Sequence, residues 1–153
     1  MATAPHPPYT PVVRAGDWII VSGQLGMKDG SLVPGGVAAQ TAQAVVNLKA
    51  QLASMGASIS DIAKTLCFLT DMDTFGTFNE EYAKGFGTAR PARSTIGVAS
   101  LPFGGAVEIE AWAYKPLGAK KASAKKPAAK KAAKKKSVGK KAAAKKSTAR
   151  KKR

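Results

Sequence analysis

One cysteine and one histidine in 153 residues remove several chemistries at the outset. A single thiol forms no intramolecular disulfide and no CxxC pair. The single imidazole, His6, sits in Ala-Pro-His-Pro-Pro, so it seeds no His-rich metal cluster and is poorly placed for a Ser-His-Asp triad. No apolar run approaches the roughly 18 residues of a membrane span. The N-terminus has no basic stretch leading into an apolar one, so no secretory signal is expected. No GxxxxGK[ST] sequence occurs. Gly85-x-Gly87-x-x-Arg90 lacks the third glycine of a dinucleotide fingerprint and follows no strand pattern. These absences predict a cytoplasmic protein with no membrane partner.

Acid is scarce too, and unevenly placed. Lys and Arg number 25 against nine Asp and Glu, a net charge of +16. All nine acids lie in residues 1–118, together with only eight basic residues: Arg14, Lys28, Lys49, Lys64, Lys84, Arg90, Arg93 and Lys115. Residues 119–153 hold the other 17 basic residues and no acid. A near-neutral body, 1–118, therefore carries a strongly basic tail, 119–153, and the two are read separately. The body is long enough for one domain with a small core.

Pro5, Pro7, Pro8 and Pro11 make the first eleven residues an extended arm. Trp18-Ile19-Ile20-Val21-Ser22 is apolar and β-branched, a buried-strand pattern. Lys28-Asp29-Gly30-Ser31 is a turn, and Pro34-Gly35-Gly36 closes the region. Val37, Thr41, Ala44, Val45, Leu48, Leu52 and Met55 recur at spacings of three and four, predicting a helix of about five turns with Gly56 just beyond it. Ile62 to Thr70 predicts a second strand, with Asp73 or Thr74 as the next N-cap. Phe75, Phe78, Tyr82 and Phe86 then mark a second amphipathic helix, its end weakened by Gly85 and Gly87. Ser94 to Ala99 and Val107 to Tyr114 complete the strands. In the last, Val107, Ile109, Ala111 and Ala113 share one face, and Glu108, Glu110, Trp112 and Tyr114 the other. The order predicts an α+β fold, with two helices against one face of a sheet.

Pattern alone leaves the charged candidates open. Two acids on one face of an otherwise apolar strand usually face solvent; the alternative for Glu108 is a covered face with its carboxylate in a cleft. A lone Arg such as Arg93 is more often a surface or structural ion pair than a ligand clamp. Cys67, in Leu66-Cys67-Phe68, reads as a small buried hydrophobe.

A run of short motifs carries a resemblance: Pro8-Tyr9, Ser22-Gly23-Gln24, Gln40-Thr41-Ala42-Gln43 with Asn47-Leu48, Asp61-Ile62, Lys64-Thr65, and Phe78-Asn79 with Tyr82 and Phe86. The most specific part is Pro91-Ala92-Arg93-Ser94-Thr95, followed by Leu101-Pro102 and Val107-Glu108-Ile109-Glu110-Ala111. In this order and spacing the body resembles the Rid (YjgF/YER057c/UK114) family of enamine/imine deaminases. The resemblance implies a chorismate-mutase-like fold, a mixed sheet packed on two helices. It further implies a homotrimer whose sheets form an inner barrel, with active sites in clefts between subunits.

The implied reaction is hydrolysis of 2-aminoacrylate and of 2-iminopropanoate- or 2-iminobutanoate-type imines to a 2-keto acid and ammonia, with no metal or organic cofactor. Arg93 matches the family arginine that binds the substrate carboxylate, for which a planar guanidinium is suited. Glu108 matches the glutamate that holds water and moves protons. Tyr9 and Ser22 match residues lining the cleft, and Asn79 matches a position near it; each reads alternatively as packing, a strand-end hydroxyl and helix surface. Thr95 stands where many RidA-type members carry cysteine. It keeps a hydrogen-bonding group without an oxidisable thiol and joins Glu108 as a catalytic candidate.

In the tail, lysine doublets or triplets begin every four to six residues: Lys120-Lys121, Lys125-Lys126, Lys130-Lys131, Lys134-Lys135-Lys136, Lys140-Lys141, Lys145-Lys146, then Arg150, Lys151, Lys152 and Arg153. Val138 is the only large apolar residue among them. Such a segment is expected to be disordered alone. A five-residue period spreads lysines around a helix, which argues against a membrane-surface helix. The tail resembles lysine-rich tails of linker histones and reads as a non-specific DNA or RNA binder. Two functions follow: a deaminase tethered to nucleic acid, or a non-catalytic trimeric nucleoid- or ribosome-associated protein that acts on RNA or translation.

Overall fold

The computed structural model describes residues 8–118. His6 and the first prolines of the arm lie outside the described residues, as does the whole basic segment 119–153 with the nucleic-acid-binding positions expected there. The elements are β1 (Val12–Ala15), β2 (Trp18–Leu25), β3 (Met27–Lys28), β4 (Ser31–Leu32), α1 (Gly36–Ser54), β5 (Ile62–Leu69), α2 (Phe75–Phe86), β6 (Ala92–Gly97) and β7 (Val107–Tyr114). Five strands form one sheet in the order β1-β2-β7-β5-β6; β5 and β6 run parallel, joined through α2, and the other pairs are antiparallel. Both helices cover one face. This is the α+β arrangement expected, a mixed sheet on two helices.

The core is where the periodicities meet. Ala44, Val45, Leu48 and Leu52 of α1 and Phe78, Tyr82 and Phe86 of α2 bury against Ile19, Val21, Cys67, Leu69, Val107, Ile109, Ala111 and Ala113 of the sheet. Cys67 is fully buried, and burial pushes its thiol up to about 11, so it behaves as the small hydrophobe expected. Gly56 (φ +71) ends α1 in a Schellman motif, its N–H bonding Ala53 O while Ala57 N–H bonds Leu52 O, both at 2.9 Å. Gly85 is a packing site rather than a weakness: a Cβ there would lie 2.7 Å from Val45 Cγ1, so the two helices touch through it.

Other local readings change. The arm is followed by a strand that no pattern foretold: Val12–Ala15 turns back through Gly16 (φ +61) and pairs with β2. Four residues with one buried side chain are too short for a periodic signal. Of the two N-cap candidates, Thr74 takes the N-cap position of α2, but its side chain makes no capping hydrogen bond. The side-chain cap lies one turn earlier, where the Asp71 carboxylate accepts from Asp73 N–H at 2.9 Å and opens a 3₁₀ turn that leads into α2. The strand expected from Ser94 begins at Ala92, which puts Arg93 inside the ladder.

The face opposite the helices is covered by no described element; beyond Glu108 and Glu110 of β7 it carries an apolar patch. Trp18, Ile20, Ile96, Trp112 and Tyr114 all stand exposed on the sheet. Trp18 and Tyr114 meet edge to face at 5.2 Å.

Candidate active site

Glu108 owes its position to a defect in the ladder. β2 and β7 pair from Trp18↔Tyr114 to Val21↔Ala111, then resume at Gln24↔Ile109 and Leu25↔Glu108. One extra residue on β2 makes Ser22-Gly23 a β-bulge. Gln24 Nε2 donates to the Ser22 and Gly23 carbonyls at 2.9 and 3.3 Å. Ser22 fastens the arm: its hydroxyl donates to Thr10 O at 2.8 Å and its N–H to Pro11 O at 3.0 Å. Gly23 leaves room for the carboxylate, since a methyl there would overlap Glu108 Oε1 and lie 2.6 Å from its Cδ. Glycine inside a strand pattern is the sequence signal that could have found this bulge.

Glu108 is therefore half-buried rather than solvent-facing. With Tyr9, Ser22, Leu25, Pro102 and Phe103 it lines a cleft of about 510 Å³. Burial first, and the like charge of Glu110 second, push its carboxyl above the ordinary 4.5. The loop before β7 is pinned from α1, where Gln40 Oε1 accepts from Ala106 N–H at 2.8 Å. Asn47 Nδ2 holds the Leu25 and Met27 carbonyls at 2.9 Å beyond the end of β2. Sequence reasoning quoted Gln40 and Asn47 without giving them these roles.

Arg93 sits in a different place. Its guanidinium lies over the rings of Phe75, Phe78 and Tyr82, with centroid distances of 5.8, 5.5 and 4.6 Å. The aromatic stripe read as core thus also makes a platform that a cation favours. Tyr82 is itself held, sharing a hydrogen bond with Thr65 Oγ1 at 2.8 Å. Burial pushes its phenol up to about 12. Arg93 Nη2 donates to Asn79 Oδ1 at 2.8 Å, so Asn79 is an orienting group rather than bare helix surface. Among the described residues Arg93 pairs with no carboxylate; the two ion pairs are Lys84–Glu81 and Lys115–Asp61. A guanidinium has five N–H donors, and the Asn79 contact uses one. Arg93 and Asn79 line a cavity of about 320 Å³ with Tyr82, Phe86, Arg90 and Pro91. Thr95 follows two residues along the same strand face, paired with Cys67, and its buried Oγ1 has no hydrogen-bond partner among the described residues.

The structure thus gathers the predicted residues into two groups. Tyr9, Ser22 and Glu108 share one cleft; Arg93 and Asn79 share another, with Thr95 beside them on the strand. Within one copy the groups do not meet. Val107 and Ile109 point into the core, so Glu108 between them points to the opposite face, whereas Arg93 faces α2. Glu108 pairs with Phe68 and Arg93 with Thr65, on either side of β5. Two strand spacings across and three residues along separate their backbones by about 14 Å.

The family model described as Endoribonuclease L-PSP matches residues 1–115. The 2-iminobutanoate/2-iminopropanoate deaminase of Mus musculus is 44% identical over 108 residues, covering 69% of this chain and 80% of that protein. The RutC family protein PH0854 of Pyrococcus horikoshii is 40% identical over 116 residues, covering 73% and 92%. Among solved structures, RidA from the Antarctic bacterium Psychrobacter sp. matches with a TM-score of 0.68 at 36% identity, over 74% of this chain and 93% of that one. A Mycobacterium tuberculosis member of the YjgF/YER057c/UK114 family matches with a TM-score of 0.62 at 34% identity, over 69% and 86%. Fold, motifs and matched length converge, and the chain belongs to the endoribonuclease L-PSP family, the Rid or YjgF/YER057c/UK114 group.

Proposed function

We propose that this chain is a cytoplasmic 2-iminobutanoate/2-iminopropanoate-type deaminase. It hydrolyses 2-imino acids, and the enamines that tautomerise to them, to a 2-keto acid and ammonia. The observation that carries the reading is the carboxylate of Glu108, half-buried in a bulge-made cleft and raised in pKa, in a protein that also presents a stacked arginine with no carboxylate partner among the described residues. The relatives named as deaminases support it.

Arg93 takes the substrate carboxylate through two parallel N–H donors. Its ring platform and Asn79 hold the fork in place, so little freedom is lost on binding. Glu108 accepts a proton as water adds to the imine carbon. It returns that proton to nitrogen to give the carbinolamine; a second proton then passes from the carbinolamine hydroxyl through Glu108 to the amine, and the C–N bond breaks as the C=O bond forms and ammonia leaves. An enamine first gains a proton at its β-carbon. Thr95, two residues beyond Arg93 on the same strand face, would offer its hydroxyl to the bound acid or the tetrahedral carbon. A raised carboxyl pKa suits a group that must both take and give a proton near neutrality.

Because Arg93 and Glu108 lie on opposite faces of one sheet, the working site needs a second copy. A homotrimer built on the uncovered apolar face, with Trp18, Ile20, Trp112 and Tyr114 turned inward, would bring the Arg93 group of one copy beside the Glu108 group of the next. The seventeen basic residues of 119–153 would tether this assembly to DNA or RNA at the nucleoid or ribosome, by salt-sensitive and sequence-independent contacts. The same charge favours a second reading, a non-catalytic nucleic-acid-binding trimer acting on RNA or translation.

Keto-acid release from an imine generated in situ separates the two. The wild type should accelerate it and Arg93→Ala should not. A wild type without activity, with retarded RNA migration, would favour the second reading.

A further inference from the structure

Phe103 is the strained residue of the described chain that the fold does not explain. Gly104 N–H bonds Leu101 O at 3.2 Å, closing a turn with Pro102 and Phe103 at its centre. Proline fixes a negative φ at the first central position. Phe103 has φ +59 and ψ 12, so the turn is type II and its second central position is one that glycine ordinarily fills. A bulky side chain there is a conformational outlier. The ring is also 79% exposed, so it contributes nothing to the core. Within one copy the ring gives the core nothing in return for that strain, and strained residues cluster where a ligand is handled.

Its surroundings say which ligand. Phe103 stands on the wall of the Glu108 cleft with Tyr9, Leu25 and Pro102, while Ser22 and Glu108 supply the polar groups. The mount is rigid: Gly105 N–H bonds Pro102 O at 3.1 Å, and Ala106 N–H is fixed to Gln40. In a 2-imino acid the side chain is bonded to the carbon that carries nitrogen. Once that reacting carbon is at Glu108, the side chain lies within a few bonds of this apolar wall. Within one copy the cleft, about 510 Å³ and open on one side, leaves space along that wall for a side chain longer than a methyl group.

We infer that Phe103 is a specificity-determining residue that favours 2-imino acids with bulky apolar or aromatic side chains, such as those from leucine, methionine or phenylalanine. This rests on the deaminase reading and names its preferred substrate class.

The test compares kcat/KM on two sets of imines generated in situ by an amino-acid oxidase: small ones from alanine and 2-aminobutyrate, and large ones from leucine, methionine and phenylalanine. Phe103→Gly removes the ring and suits the backbone, so the fold is kept; Phe103→Asn also tolerates the left-handed region and controls for strain relief. Both variants should lower the large-to-small ratio of kcat/KM about tenfold. An unchanged ratio, or an equal fall for both sets, overturns the selectivity alone. Absence of turnover by the wild type on every imine overturns the deaminase reading and this inference with it.

Discussion

Replacing Gly23 by alanine separates activity from stability more cleanly than any other single change. A methyl at that position would overlap Glu108 Oε1 and come within 2.6 Å of Cδ and 2.9 Å of Cγ. Normal contact requires Cδ to retreat by about 1 Å and Oε1 by about 2 Å. What must move is the far end of a side chain, not backbone, so the cost to folding should stay within about 1 kcal/mol. Catalysis is less forgiving. A displacement of that size in a group that must meet water and substrate together costs about 10²-fold. We expect Gly23→Ala to keep its Tm within about 4 °C and lose about two orders of magnitude in kcat/KM for in-situ imine hydrolysis. In a Glu108→Gln background the same alanine should cost almost nothing, because the group it displaces is already disabled. Full activity in folded Gly23→Ala, or an equal loss in the Glu108→Gln background, would refute the assignment of Gly23 as the residue that makes room for Glu108.

Arg93→Lys should behave nearly as badly as Arg93→Ala, each losing about 10²-fold or more in kcat/KM, because a point charge cannot reproduce a two-pronged fork. The acid limb of the pH–kcat/KM profile should lie above 4.5, the direction in which burial and Glu110 push Glu108. The base must be ionised, so activity falls as pH drops through that raised value; Glu110→Gln removes the like charge and should move the limb toward lower pH. An unmoved limb would assign it to another group. Gly85→Ala should destabilise the protein by about 1–3 kcal/mol in denaturant titration through its overlap with Val45, with activity per folded molecule unchanged. Removing 119–153 should abolish retardation of DNA and RNA at low salt without altering imine turnover; equal binding by the shortened chain would place the polyanion site in the body.

The architecture was legible wherever a long element had one buried face. The spacing from Val37 to Met55 and the alternation along Val107–Tyr114 survive in the structure almost unchanged. What the sequence hid depended on partners distant in the chain. Ser22-Gly23 becomes a bulge only because β7 pairs on both sides of it. The Phe75–Phe78–Tyr82 stripe looked like core because its second use, beneath Arg93, requires β6 to lie next to it. Pattern analysis could not separate the burial of Glu108 from its exposure, since the answer lay in a loop pinned by Gln40 more than sixty residues away. Phe103 gave no signal at all, because a residue's φ is not written in its neighbours' polarity.

The central claim is that Arg93 of one copy serves Glu108 of another. Arg93→Ala and Glu108→Gln subunits, each inactive alone, should be unfolded together, refolded at equal ratio and assayed for imine hydrolysis. In a cyclic assembly with shared sites, random mixing restores an intact Arg93–Glu108 pair at about a quarter of them, and activity should return to that fraction of wild type. If mixed assemblies form and stay as inactive as their parents, the site does not span two copies.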